Sequence, residues 1–83
     1  MNFRIEISKK ALKFIESQPQ DKKRLIFKAI LALPDGDVKP LRNYKNTYRL
    51  RVGSYRVIHT MDRDECLITV VETGNRGQIY KNL

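Results

Sequence analysis

Three arginines flank a Gly-Ser pair in the second half of the sequence, at positions 49, 51 and 56. If Gly53 and Ser54 form the loop of a β-hairpin, Arg51 lies directly opposite Arg56. Arg49 then lies on the same face, because side chains alternate along a strand. Like charges placed across a strand pair destabilise a sheet by up to about 1 kcal/mol. An anionic ligand on this face would offset the repulsion, so the three arginines are candidate ligand-binding residues.

The same hairpin predicts what lies on the opposite face of the sheet. Residues 48–52 and 55–58 are rich in β-branched and aromatic side chains, which favours two strands joined by a tight turn. The predicted pairs are Val52 with Tyr55, Arg51 with Arg56, Leu50 with Val57 and Arg49 with Ile58. We expect a core face made of Tyr48, Leu50, Val52, Tyr55 and Val57. His59 has the same parity and is expected to be a satisfied histidine at the edge of the core.

Two helices are predicted before the hairpin, after a first strand. Residues 1–7 alternate apolar and polar side chains, which predicts a half-buried strand. Ser8 can cap a first helix that ends before Pro19. A second helix is predicted from residue 19 or 20 to residue 33, where Pro34 and Gly36 introduce a turn. The apolar spacing predicts a buried stripe on these helices: Ala11, Leu12, Phe14, Ile15, Leu25, Ile26, Ala29, Ile30 and Leu33.

The remaining segments complete a predicted α+β fold. Residues 38–47 are polar and basic and predict a connector, and residues 66–72 predict a last strand after a turn at 62–65. The tail from residue 73 begins with turn residues and is expected to lie along the edge or mouth of the sheet. The predicted order is β-α-α-β-β-β, with an antiparallel sheet that carries a helical hairpin on one face. The other face would be bare and basic.

Composition limits the classes of protein and of partner. The 83 residues suit a single domain spanning 1–83, and 17 Lys and Arg against nine Asp and Glu give a net charge of +8. This excess favours phosphate backbones, an acidic protein or an anionic membrane as partners. The single cysteine, Cys66, excludes an internal disulfide, and no ligand spacing predicts a metal site. No apolar run approaches the roughly 20 residues of a membrane span, so we expect a cytoplasmic protein without a membrane partner.

The element order, together with the segments YRLRVGSYRVIH (residues 48–59) and GNRGQIYK (residues 74–81), resembles the RelE/ParE superfamily of bacterial and archaeal toxins. The resemblance covers essentially the whole chain. In that superfamily, toxins of the RelE branch are ribosome-dependent endoribonucleases that cut mRNA in the ribosomal A site. Toxins of the ParE branch inhibit DNA gyrase and lack the nuclease residues. The resemblance therefore implies a toxin of a toxin–antitoxin system.

Five positions that RelE-type enzymes use for catalysis are matched here by Arg49, Arg51, Arg56, Arg76 and Tyr80. The best-known RelE enzyme has lysines at the first two of these positions. Because arginine stays protonated, Arg49 and Arg51 are expected to stabilise the phosphate transition state and not to accept a proton. Tyr80 is then the expected proton-transfer group, with stacking on a base as the alternative.

Structural interpretations of the same residues stay open at this point. The sheet arginines could form a solvated face, Arg76 could pair with Glu72, and Tyr80 could pack the tail onto the sheet. The remaining basic residues are interpreted either as solvated surface or as contacts to RNA phosphates. They are Lys9, Lys10, Lys13, Lys22, Lys23, Arg24, Arg42, Lys45 and Lys81.

The resemblance also implies the partners. They are a cognate protein antitoxin in a hetero-oligomer, the ribosomal A site and mRNA, and no cofactor or metal is expected. Arg76 and Tyr80 beside the sheet arginines favour the RelE-type nuclease, which would inhibit translation by cleaving mRNA. The alternatives are a ParE-type gyrase inhibitor and a catalytically inactive module that binds nucleic acid or antitoxin. The two arginines in place of lysines keep the inactive module open.

Overall fold

The computed structural model describes residues 2–75. They form two helices and five strands, and the α+β class predicted from the sequence is confirmed. In chain order the elements are β1 (Arg4–Ile7), α1 (Lys9–Glu16), α2 (Gln20–Leu31), β2 (Val38–Pro40), β3 (Thr47–Val52), β4 (Tyr55–Asp62) and β5 (Leu67–Asn75). Arg76, Tyr80 and Lys81, which the sequence nominated as functional residues, lie outside the described residues.

The sheet has the strand order β1-β5-β4-β3-β2 and is mixed, not antiparallel throughout as predicted. Strands β2 to β5 pair antiparallel with their neighbours, whereas β1 lies parallel to β5, with Ile5 opposite Ile68. The direction of β1 depends on how the two helices carry the chain across the sheet. No local pattern in residues 1–7 reports that path, which is why the sequence did not reveal it.

Two boundaries also differ from the predicted ones. Part of the predicted connector is the edge strand β2, whose Lys39 pairs with Arg49 of β3. Its short length and Pro40 suit an edge strand, because proline cannot donate a backbone hydrogen bond to a further strand. β5, which lies between β1 and β4, also continues through the predicted turn residues as far as Asn75. There the Thr73 hydroxyl donates a hydrogen bond to the Ala11 carbonyl of α1 at 2.9 Å.

The helix boundaries follow the capping signals of the sequence. The Ser8 hydroxyl accepts a hydrogen bond from the Ala11 N–H at 3.1 Å and also donates to the Val71 carbonyl at 3.0 Å, which ties the start of α1 to β5. Pro19 precedes α2, and Asp21 lies in its first turn, where the helix dipole favours a negative charge. α2 ends at Leu31, two residues earlier than predicted, and Ala32 is its C-cap.

The core lies between the helices and one face of the sheet. Helix residues Ala11, Ile15, Ile26 and Ile30 are fully buried there, and the sheet contributes Leu50, Val57, Ile68 and Val70. Leu12 and Leu25 were predicted to be buried but are 39% and 46% exposed, so the apolar stripe of each helix extends beyond the side that packs on the sheet. None of the helices in residues 2–75 is long and apolar enough to cross a membrane.

Candidate functional site

The β3–β4 hairpin has the register that the sequence predicted. Gly53 and Ser54 form its loop, and Gly53 has a φ of +57°, the left-handed conformation that tight hairpin loops require and that glycine adopts without strain. The observed pairs are Val52 with Tyr55, Arg51 with Arg56, Leu50 with Val57 and Arg49 with Ile58. The hairpin thus fixes which side chains share each face of the sheet.

One face of this hairpin is core and the other carries the arginines. Leu50 and Val57 are packed under the helices, at 1% and 0% exposure. Arg49, Arg51 and Arg56 therefore lie on the side of the sheet away from the helices, which we call the open face. Arg51 and Arg56 are direct cross-strand neighbours. Their Cα atoms are then roughly 4.5–5.5 Å apart, as in any antiparallel pair.

Lys39 extends this basic surface and was missed at the sequence level. It pairs with Arg49 across β2 and β3, and paired residues project to the same face of a sheet. Lys39 is exposed. An alternation of apolar and polar side chains in residues 38–40 could have indicated a strand. Three residues are too few to display such a period.

Arg56 is not on a bare surface as the sequence suggested, since only 6% of it is exposed. One guanidinium nitrogen, Nη1, donates a long hydrogen bond of 3.4 Å to the Tyr55 carbonyl. Its Nε–H is buried and has no hydrogen-bond partner, and Nη1 of Arg49 is in the same situation. Buried donors without an acceptor are uncommon and costly, more so when the group is charged.

No carboxylate among residues 2–75 lies within ion-pairing distance of these three guanidiniums. The ion pairs in this part of the chain join Arg4 to Glu6, Lys10 to Glu72 and Lys23 to Glu16. Glu72 is the acidic residue placed opposite Ile58 on β5, and its carboxylate binds Lys10 of α1 at 2.6 Å. The positive charge of the open face is therefore not neutralised by the described residues.

The other basic residues nominated from the sequence lie outside the hairpin strands that carry the three arginines. Lys9, Lys13, Lys22 and Arg24 are exposed on the helices, Lys10 and Lys23 take part in the ion pairs just described, and Arg42 and Lys45 are exposed in the loop between β2 and β3. Their contact with RNA stays a prediction.

His59 is buried as predicted, but it is not satisfied. It is 0% exposed, and neither ring nitrogen has a hydrogen-bond partner. The ring stacks on Tyr48, its cross-strand neighbour, with centroids 5.8 Å apart. Burial lowers the pKa of His59 below its ordinary value of 6.5; the backbone of Val57 acts in the opposite direction but does not overcome it. Since Tyr48 shares the helix side with Leu50, His59 is separated from the arginines by the sheet.

The described residues contain no cluster of His, Cys, Asp and Glu side chains that could hold a metal ion. The open face itself offers the fixed positive charge and hydrogen-bond donors of its arginines. Guanidinium groups with free donors suit the oxygens of a phosphate, which they can bind through two N–H groups at once.

Comparison with known proteins gives a consistent result. Residues 5–80 match the family model described as ParE toxin of type II toxin-antitoxin system, parDE. A curated relative from Methanocaldococcus jannaschii, named as toxin RelE1, is 28% identical over 99% of both chains. The toxin chain in the crystal structure of the archaeal RelE–RelB complex from Pyrococcus horikoshii is 30% identical, with a TM-score of 0.74 over 94% of this chain and 99% of that chain.

The fold likeness extends to more distant toxins. The isolated RelE toxin of Escherichia coli superimposes with a TM-score of 0.73, over 99% of this chain and 94% of that chain, at 16% identity. At that identity the likeness concerns the fold alone, whereas the family model spans nearly the whole sequence. The chain belongs to the RelE/ParE superfamily of toxins from type II toxin–antitoxin systems.

Proposed function

We propose that this toxin is a ribosome-dependent endoribonuclease that cleaves mRNA in the A site, with the arginines of the open face binding the scissile phosphate. One observation carries the proposal. Arg49 Nη1 and Arg56 Nε are buried donors without partners, on a face that the helices leave uncovered. A phosphate seated between them would accept both hydrogen bonds and would offset the repulsion between Arg51 and Arg56.

The reaction proposed is attack of the 2′-hydroxyl oxygen on the adjacent phosphorus. The hydroxyl loses its proton, a new P–O bond forms, and the bond to the 5′-oxygen breaks as that oxygen gains a proton. Negative charge grows on the non-bridging phosphate oxygens in the transition state. Preorganised donors aimed at such charge contribute about 3–4 kcal/mol each, or roughly 10²- to 10³-fold in rate. Arg49, Arg51 and Arg56 are proposed to act in this way.

Proton transfer needs a different group. Arginine does not give up its proton in proteins, and His59 lies on the helix side of the sheet. Our proposal assigns the transfer to Tyr80, with stacking on a base as its alternative role, and adds Arg76 to the cationic cluster. Both residues lie beyond the described range, so their roles rest on the resemblance to RelE enzymes. A positive cluster next to a phenol would favour its ionised form.

We further propose that a cognate protein antitoxin binds this toxin in a hetero-oligomer. Several of the similar toxin structures are complexes with RelB, among them those from Pyrococcus horikoshii and Methanococcus jannaschii. The leucines left exposed by α1 and α2, at positions 12, 25 and 31, provide apolar area for such a partner. An antitoxin segment over the open face would neutralise its charge and exclude RNA.

Two other functions remain to be separated from this one. The matching family model is named for ParE, which supports a gyrase inhibitor as the second candidate. A catalytically inactive module that binds nucleic acid or antitoxin is the third. The unpartnered arginine donors favour RNA binding over gyrase inhibition, because a phosphate satisfies them. An inactive module that binds nucleic acid would satisfy them equally, and cleavage of mRNA is the property that separates it from the nuclease.

The deciding experiment uses purified ribosomes programmed with mRNA, with the 5′ ends of the products mapped by primer extension. Wild-type toxin is expected to produce cuts in the A-site codon, and Arg56→Ala should lower their rate by about 10²-fold or more. Arg4→Ala is the matched control, since it removes the same charge from an exposed arginine of β1. Arg4 lies opposite Leu67, at the other end of β5 from Gly74, the partner of Arg56. Intact mRNA together with inhibited gyrase supercoiling would instead support the ParE-type function.

A further inference from the structure

An open pocket of about 480 Å³ lies at the end of the hairpin remote from the Gly-Ser loop. It is formed where the β2–β3 loop meets the β4–β5 turn, and the Met61 N–H donates to the Asn46 carbonyl at 3.1 Å to join these two segments. Its walls come from Lys45, Asn46, Thr60, Met61, Asp62, Arg63 and Asp64. The volume is within the range of small-molecule sites, which is roughly 300–1,000 Å³.

Two wall residues of the pocket, Thr60 and Asp62, lie on the same side of the sheet as the arginines. Ile58, Thr60 and Asp62 alternate with core residues along β4 and so project to the same side as Arg56. Thr60 pairs with Thr47, two residues along the strands from the pair of Ile58 and Arg49. That step of two residues is about 7 Å along the strands. A ligand that reaches Arg49 therefore meets the pocket wall at its next unit.

The charges of the pocket differ from those of the arginine surface. Lys45 and Arg63 are basic, whereas Asp62 and Asp64 are acidic. Carboxylates repel phosphate, so a site that binds only phosphate would not have them in its wall. One Asp62 oxygen, Oδ1, accepts the Glu65 N–H at 3.1 Å and so helps to hold the turn. Asp64 is exposed and takes part in none of the ion pairs of residues 2–75, which leaves its carboxylate available as an acceptor.

We propose that this pocket binds the base of the nucleotide next to the one whose phosphate the arginines hold, and that it prefers bases with an exocyclic amino group. The amino hydrogens of adenine, cytosine or guanine would donate to Asp64, while Lys45 and Arg63 bind the backbone phosphate. Uracil has no amino group, and its one donor, N3–H, lies between two carbonyl oxygens that a carboxylate repels. This pocket assignment rests on the proposed function, because RNA must lie across the open face for its next base to reach the pocket.

The test is a titration of the full, ¹⁵N-labelled chain with each of the four nucleoside 5′-monophosphates, followed by amide NMR shifts. We expect shifts at Asn46, Thr60 and Arg63, and about tenfold weaker binding of uridine monophosphate than of the other three. Asp64→Ala should remove that difference. Glu65→Ala, which deletes the neighbouring carboxylate outside the pocket, should retain it. Shifts confined to the arginines, equal affinities for all four nucleotides or an unchanged preference in Asp64→Ala would each overturn the proposal.

Failure of this inference is distinguishable from failure of the nuclease proposal. If the protein discriminates among the four nucleotides as expected but mRNA on ribosomes is not cut in the A site, the pocket assignment stands and the nuclease function falls. If A-site cuts occur with the same codon distribution in wild type and Asp64→Ala, the nuclease function stands and the pocket assignment falls. On ribosomes, Arg56→Ala should lose cleavage at every codon. In the nucleotide titration, the same variant should keep the preference for bases that carry an amino group.

Discussion

Arg56 is the residue at which the demands of function and of stability conflict most directly. It is 6% exposed, its Nε–H has no acceptor, and its cross-strand neighbour Arg51 carries the same charge. A buried, incompletely paired charge lowers the stability of a fold. Such a group persists where activity requires it, because selection acts on function above a stability threshold. The toxin without RNA is therefore expected to be less stable than an apolar variant at this position.

Replacing Arg56 with methionine tests this directly. Arg56→Met keeps an unbranched side chain of similar length and removes the buried charge, so it should raise the free energy of unfolding by about 1–3 kcal/mol. Urea denaturation measures the change, and the same variant should lose mRNA cleavage. The control is Arg24→Met, at an exposed arginine of α2 away from this pair, which should change stability by less than about 0.5 kcal/mol. Destabilisation by Arg56→Met would mean that this arginine has a structural role.

His59 makes stability depend on pH. Because burial lowers the pKa of His59 below 6.5, the unfolded chain binds the proton at a higher pH than the folded chain. Its contribution is complete above the unfolded pKa and decreases as the pH falls from about 6.5 through the lowered value. The loss is about 1.4 kcal/mol for each unit by which the pKa is lowered. Urea denaturation at about pH 7.5 and about pH 5.5 should reveal it in wild type.

The control for this effect is His59→Leu, which fills the same core site without a titrating group. It should abolish the stability change between the two pH values. An equal loss in wild type and His59→Leu would assign the effect to carboxylates elsewhere in the chain.

At the residue scale, the alternation of side chains along the strands was sufficient to assign the arginines to one face of the sheet. It was not sufficient to predict how deeply each is buried. The side of the sheet occupied by Arg49, Arg51 and Arg56 followed from alternation about Gly53. The buried state of Arg56 and the unpartnered ring of His59 depend on what packs over each face, which no local pattern reports.

At the scale of the element, local pairing was predictable and remote pairing was not. The hairpin register is fixed by its two-residue loop, so the sequence sufficed. The parallel pairing of β1 with β5 and the pairing of β2 with β3 are set by the path of intervening segments. This is why Lys39, a fourth strand residue of functional interest, became visible only once β2 was in place.

The position of Lys39 yields a prediction about RNA affinity. It lies beside Arg49 on the open face, so RNA that crosses the arginines should also contact its ammonium group. Each phosphate contact to single-stranded nucleic acid contributes about 0.7 to the slope of log K against log salt. Lys39→Ala should therefore lower affinity for a short single-stranded RNA and reduce that slope by about 0.7. Fluorescence anisotropy over a salt series measures both.

The comparison for this variant is Lys28→Ala, which removes an exposed lysine from α2 on the other side of the sheet. It should leave the slope unchanged. If both variants reduce the slope equally, RNA binding follows net charge and not the open face.

At the scale of the whole molecule, positive charge is present on both sides of the sheet, in two different arrangements. The open face holds arginines with buried donors, whereas α1 and α2 present exposed cations, of which Lys9, Lys13, Lys22 and Arg24 have no ion pair among residues 2–75. Buried, oriented donors suit transition-state stabilisation. Exposed, flexible cations suit long-range attraction to a polyanion such as ribosomal RNA. The net charge of +8 would thus serve two functions that can be separated kinetically.

This separation predicts that substitutions on the two sides of the sheet affect different kinetic quantities. Substituting Lys9, Lys13, Lys22 and Arg24 together with glutamine should raise the ribosome concentration needed for half-maximal cleavage, most strongly at low salt, and leave the maximal rate unchanged. Arg56→Ala should lower the maximal rate and change the half-maximal concentration much less. Single-turnover cleavage over a series of ribosome concentrations measures both quantities. A fall in maximal rate for the glutamine variant would place the helix cations in the reaction itself, because loss of attraction alone is overcome at saturation.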